Sequence, residues 1–101
     1  MRGNKKASAF KALEERKIAF SPNPTTGDLS INIFTIENNS TFNVCVQDIT
    51  GKTLMQQRVQ AEAGLSSSRL NIQDFVNGIY IVKVTDEKGN IVKTDKIILN
   101  K

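Results

Sequence analysis

From Phe20 onward the chain is a succession of short apolar alternations separated by turn residues, and a period of two is the local signature of a half-buried strand. Leu29, Ile31 and Ile33 share one parity, and so do Phe42, Val44 and Val46. Each run can therefore bury one face and leave the other to solvent. Two of the breaks have the same form. Asp48-Ile49-Thr50-Gly51-Lys52 and Asp86-Glu87-Lys88-Gly89-Asn90 both read D-x-x-G-polar after a valine-rich strand. Such a segment suits a type I turn followed by a glycine in the left-handed region, with the leading Asp accepting from its own turn. The echo of VQDITGK in VTDEKGN is reused turn chemistry; a duplicated domain would match over a longer span.

The remaining strands follow from the same reading. Thr53 to Gln60 is polar, and its apolar positions Leu54, Met55 and Val59 do not keep one parity, which predicts a bulge or a sheet edge. Leu70 and Ile72 mark a short strand. Ile79 to Val84 is apolar on both faces at its start, which predicts a central strand, and Asn77-Gly78 is the sharp corner leading into it. The last strand runs from about Asn90 to Leu99. With a short piece around Ile18–Phe20, the pattern predicts an all-β antiparallel sandwich of about seven strands. Phe34, Phe42, Phe75 and Tyr80 are assigned to its core. Chain ends fray unless something ties them down. Here Ile97-Ile98-Leu99 is followed only by Asn100 and Lys101, so this run is expected to be a core strand or something that a partner finds.

Charge separates the chain into two parts. Of 14 basic and 10 acidic residues, six basic and two acidic fall in residues 1–17, which leaves the rest of the chain balanced. The net charge of +4 thus belongs to an arm. Residues 1–18 are read as that arm and residues 19–101 as one domain. Lys5 to Lys17 is rich in helix formers and places Phe10 and Leu13 near one face, which predicts a short helix or a flexible linker. Nucleic-acid binding is not expected, because the body has no basic stripe with interleaved aromatics. Direct membrane insertion is not expected either, since no apolar run approaches the roughly 20 residues a spanning helix needs. No secretory signal opens the chain, so it is expected to be cytosolic or a piece of a longer precursor whose signal lies elsewhere.

Reactive chemistry is sparse. The chain has no histidine and one cysteine, so a histidine-based triad, an internal disulfide and a thiolate metal cluster are all excluded. Cys45 alternates opposite Phe42, Val44 and Val46 and is read as a small strand residue, with a reactive or intermolecular thiol as the alternative if the position is exposed. Asp28, Asp48 and Asp86 stand beside turn glycines, where acceptor side chains are favoured without any metal. No run matches a calcium loop. Asn38-Asn39-Ser40-Thr41 holds two overlapping glycosylation sequons of little weight. No catalytic, cofactor-binding or metal-binding residue is predicted.

Five segments in order carry a family resemblance. Phe20-Ser21-Pro22-Asn23-Pro24-Thr25-Thr26-Gly27-Asp28-Leu29 resembles the P-N-P-x-x-G-x-L opening of the C-terminal sorting domain of the type IX (Por) secretion system. Val46-x-Asp48-x-x-Gly51-Lys52 follows, then Leu70-x-Ile72 with Phe75, then Asn77-Gly78-Ile79-Tyr80, and finally Lys96-Ile97-Ile98-Leu99. Phe75 stands where that family often has leucine, and Cys45 lies outside its pattern. The resemblance implies an immunoglobulin-like sandwich that ends a cargo protein of Gram-negative bacteria. It also implies transit through the periplasm, recognition by shuttle proteins and the outer-membrane translocon, and delivery to the cell surface or beyond. A sortase-like cysteine peptidase would cut the linker, within or before residues 1–18, and the cargo would be joined to anionic lipopolysaccharide.

Pro22 and Pro24 would stiffen the lead-in to the domain. The translocon is expected to read the Lys93–Lys101 face, whose backbone at a sheet edge suits strand addition. The alternative is a non-catalytic sandwich module for adhesion or carbohydrate binding. Six aromatics and no Trp argue against the exposed aromatic row such a module presents to sugars.

Overall fold

A computed structural model describes residues 17–101. Its seven strands are β1 (Lys17–Ser21), β2 (Asp28–Thr35), β3 (Ser40–Gln47), β4 (Thr53–Ala61), β5 (Gly64–Asn71), β6 (Gly78–Thr85) and β7 (Ile91–Leu99). They form a three-stranded sheet in the order β1-β2-β5 and a four-stranded sheet in the order β4-β3-β6-β7. Every strand pairing is antiparallel. No helix occurs among the described residues. The predicted helix over Lys5–Lys17 lies outside them except for Lys17, which opens β1 opposite Phe34.

The alternation does what the sequence implies. Leu29, Ile31, Ile33 and Leu70 of one sheet and Val44, Val46, Val82, Val84 and Ile97 of the other are fully buried between the layers. Burying a side chain of this size contributes about 1.5–3 kcal/mol. Phe42 and Tyr80 join them, and Phe75 is half-buried against the cluster. Phe34 does not: it is 38% exposed, because it shares the parity of Ser30 and Asn32 on the outer face of β2. The hydroxyl of Tyr80, near the start of β6, donates at 2.5 Å to the carbonyl of Val76, four residues upstream in the preceding loop. That is the tyrosine corner of immunoglobulin-like sandwiches.

The irregular strand is both edged and bulged. β4 is the outer strand of its sheet, and its register slips where Val46 pairs with Met55 but Gln47 pairs with Thr53. Leu54 is the extra residue and sits 37% exposed. β5 is longer than the Leu70–Ile72 pair suggests, since it begins at Gly64 and pairs with β2 along its whole length. Ile72 lies just beyond it, still buried.

Both D-x-x-G turns form as the spacing predicts. In the first, the Asp48 carboxylate accepts from the Thr50 hydroxyl (2.5 Å), the Thr50 N–H (2.9 Å) and the Lys52 N–H (3.0 Å). Asp86 accepts from the Lys88 and Asn90 N–H groups, each at 2.9 Å. Gly51 and Gly89 take φ of +93° and +86°. The Thr50 hydroxyl, followed by the Lys52 and Thr50 backbone donors, holds Asp48 below the ordinary carboxylate range against the opposing effect of desolvation. A carboxyl lowered on folding stabilises the fold above its unfolded pKa, here above about pH 4, and loses that contribution as pH falls through the folded value. Asp48→Asn keeps the acceptor oxygen but cannot titrate. It is expected to melt below the wild type at pH 7, with the gap closing as the pH is lowered towards 2. Circular dichroism melts across that range check this; a gap independent of pH would contradict it.

Strand direction sorts the loops to two ends. One end collects loop 22–27, turn 48–52, loop 72–77 and residues 100–101. At the other lie the start of β1, loop 36–39, turn 62–63 and turn 86–90. Strands of eight or nine residues put these ends about 25–30 Å apart.

Candidate functional site

Loop 22–27 folds against β7 and closes part of its edge. Asn23 does this with its side chain alone. Its Nδ2 donates to the Lys96 carbonyl at 2.9 Å, and its Oδ1 accepts from the Ile98 N–H at 3.0 Å. One amide thus reproduces the donor and acceptor that a neighbouring strand would supply. Thr25 continues the pairing through its backbone. Its N–H donates to the Ile98 carbonyl at 2.8 Å, and its carbonyl accepts from the Asn100 N–H at 2.9 Å, a parallel bridge opposite Leu99. Pro22 and Pro24, both following cis peptide bonds, flank Asn23 and are exposed.

The same loop is tied to the sheet beneath it. Thr25 is 1% exposed, and its hydroxyl accepts from the Gly27 N–H at 3.0 Å and donates to the Asp28 carbonyl at 3.3 Å. The Gly27 carbonyl accepts from the Ile72 N–H at 2.8 Å. From there the chain enters β2 at Asp28 and buries Leu29 completely. Asp28 also pairs with Arg69 at 2.6 Å, but both side chains are well exposed, so the pair adds little stability.

Loop 72–77 completes the arrangement from the other side. Asn77 Oδ1 accepts from the Lys101 N–H at 2.9 Å. The Lys101 ammonium donates to the Gln73 carbonyl at 3.0 Å and the Phe75 carbonyl at 2.7 Å. Gly78 then starts β6, pairing with Leu99, and Tyr80 pairs with Ile97. Three segments far apart in sequence therefore meet in one hydrogen-bonded clasp around residues 96–101.

Of the predicted motif residues, Asn23, Gly27, Asn77, Gly78, Tyr80, Lys96, Ile97, Ile98, Leu99 and Lys101 belong to this clasp or to the strands it joins. Asp48, Gly51 and Lys52 lie at the same end of the sandwich, reached through β3, whose Gln47 pairs with Ile81. Ile49 in that turn and Val76 in loop 72–77 are 74% and 76% exposed. The edge of the last strand is occupied over part of its length. β7 is an edge strand, but the edge groups of Lys96, Ile98 and Asn100 are already bonded to Asn23 and Thr25. Thr25 is not among the expected motif residues. Its local signal is the T-x-G spacing, in which a hydroxyl accepts from the N–H two residues on.

This arrangement can present shape and backbone, and it offers no reacting group. Among the described residues no three or more His, Cys, Asp or Glu side chains are grouped to hold a metal. Cys45 is half-buried, with its sulfur 3.5 Å from the Thr53 hydroxyl. Asn38 and Asn39 of the sequons are engaged by the backbone N–H of Ala63 and the side chain of Gln60. A recess of about 560 Å³ lined by Glu37, Asp86, Glu87 and Lys88 among others lies at the opposite end, away from every motif residue. Phe20, Phe42 and Tyr80 are in the core, so no aromatic row faces solvent among the described residues. The family model of the secretion system C-terminal sorting domain matches residues 19–100. No curated protein matches the chain.

Proposed function

The chain belongs to the family of secretion system C-terminal sorting domains, and from that premise we propose that its clasp is the address by which a cargo protein passes from the periplasm through the outer membrane. The family, which is not itself catalytic, makes it a type IX secretion sorting signal that directs proteins to the cell surface or extracellular space. Shuttle proteins and the outer-membrane translocon engage the end holding residues 22–27 and 96–101. A sortase-like cysteine peptidase then cuts the linker ahead of the sandwich, and the released cargo is anchored to anionic lipopolysaccharide.

The observation that carries this reading is the convergence of the motif residues at one end while the chain enters at Lys17, at the other. A separation of about 25–30 Å lets a peptidase take the linker as an extended strand while a second protein holds the clasp. The Asn23 and Thr25 bonds fix the backbone of residues 96–100 before any partner arrives. Recognition of a preformed surface avoids the ordering cost that a floppy tail would add to binding. The test is a reporter carrying a signal peptide and the full 101-residue chain, expressed in a host with type IX secretion. The reporter is expected on intact cells at a mass lacking residues 17–101, and to keep the domain when the host peptidase is inactivated. A reporter that reaches the surface with the domain still attached in the unmodified host would overturn the processing step.

A further inference from the structure

The outer face of the four-stranded sheet is covered by nothing among the described residues. Close to the clasp it carries Ile79 and Ile98, register partners that are 45% and 38% exposed. Ile81 lies two residues along β6, half-buried and opposite Lys96, and Lys83 follows it. None of the outward positions of β3, β4, β6 and β7 is aspartate or glutamate. Asp95 of β7 has the inward parity of Ile97 and Leu99, opposite Val82, and at the far end Glu87 accepts from the Thr41 N–H at 3.4 Å. A solvated sheet face normally mixes both signs of charge with polar side chains. Neighbouring isoleucines bordered by Lys96, Lys83 and the uncharged Gln47, with no acid among them, mark an interaction surface.

We propose that this face docks a protein of the export apparatus through an apolar patch edged by carboxylates. The inference rests on the sorting function and adds which face is read and what the reader must carry. Charge selects among the occupants. A second copy of this chain would set one acid-free, lysine-bearing face against another, which is repulsive. Anionic membranes are held by clusters of four to eight basic side chains, and Lys83, Lys96 and the more distant Arg58 of β4 do not make one. A carboxylate-edged apolar surface satisfies both the lysines and the isoleucines.

The full 101-residue chain fused to a secreted reporter in a type IX host provides the test. Ile79→Ser with Ile98→Ser, and separately Lys83→Glu with Lys96→Glu, are each expected to lower surface delivery about tenfold or more, as losing central contacts of an interface does. Leu65→Ser with Ser67→Glu, on the outer face of the opposite sheet, is expected to leave delivery unchanged. The lysine reversal decides the matter if the serine pair loosens the sheet, and melting curves of both proteins establish that they are folded. Delivery by the folded lysine variant at the wild-type level would overturn the inference. So would self-association of the purified chain in sedimentation, or its binding to phosphatidylglycerol vesicles. A wild-type fusion that stays inside the cell would instead remove the sorting function, and this inference with it.

Discussion

Gly27→Ala is expected to lower the melting temperature by more than about 10 °C, because the new methyl group meets two independent obstacles. The first is the backbone: φ at Gly27 is +125°, a region that side-chain-bearing residues avoid at a cost of about 1–3 kcal/mol. The second is space. A β-carbon there would lie 2.4 Å from Gln73 Cγ and 2.8 Å from Gln73 Cα. The side chain of Gln73 can swing away, but its backbone is held between the Asn71 side chain and the Lys101 ammonium. Overpacking of this kind typically costs a further 1–3 kcal/mol. Gly51→Ala is the control. It has a comparable φ of +93° but nothing within 4 Å, so only the backbone cost applies. Equal losses for the two substitutions would show that loop 22–27 is not wedged against loop 72–77.

Removal of Asn100 and Lys101 is expected to leave the domain folded and to reduce surface delivery of a fused cargo by about an order of magnitude or more. The core is untouched, since Ile97 and Leu99 remain and are almost fully buried. What goes is the clasp's outer half: the Asn100 N–H on Thr25, the Lys101 N–H on Asn77, and the ammonium on the carbonyls of Gln73 and Phe75. Exposed hydrogen bonds lie towards the low end of about 0.5–1.5 kcal/mol each, so losing these four costs about 2–3 kcal/mol, which lowers the melting temperature but stays below a typical domain's 5–15 kcal/mol. Loops 22–27 and 72–77 would no longer be joined through the last residue, and the surface they jointly form would fray. The check is a melting curve beside a surface-protease assay on intact cells. Undiminished delivery would detach the export signal from the clasp.

Local pattern made much of the sandwich legible. Period-two runs such as Leu29–Ile33 and Phe42–Val46 state both strand and buried face. The D-x-x-G turns state their own hydrogen bonds. Strand β5 is legible only at Leu70 and Ile72, because Gly64 to Arg69 places serine on both faces and leaves no alternation to read. For Phe34, residue type points to the core and parity points outward, and the structure follows parity. The clasp was only half legible. Family resemblance marked Asn23, Asn77 and the last strand as belonging together in order, but not that they touch. The Asn23 bonds span 73 and 75 residues, a separation on which no local period reports. Thr25 was passed over for the same reason, since its burial follows from β7 lying across it.

The central claim is that the folded sandwich itself is the address. Its most direct measurement is surface exposure of a normally periplasmic reporter fused to residues 17–101, without the basic arm, in a type IX host. The account predicts that intact cells display the reporter to external protease as fully as with all 101 residues. A reporter that stays protected inside the cell until residues 1–16 are restored would contradict it.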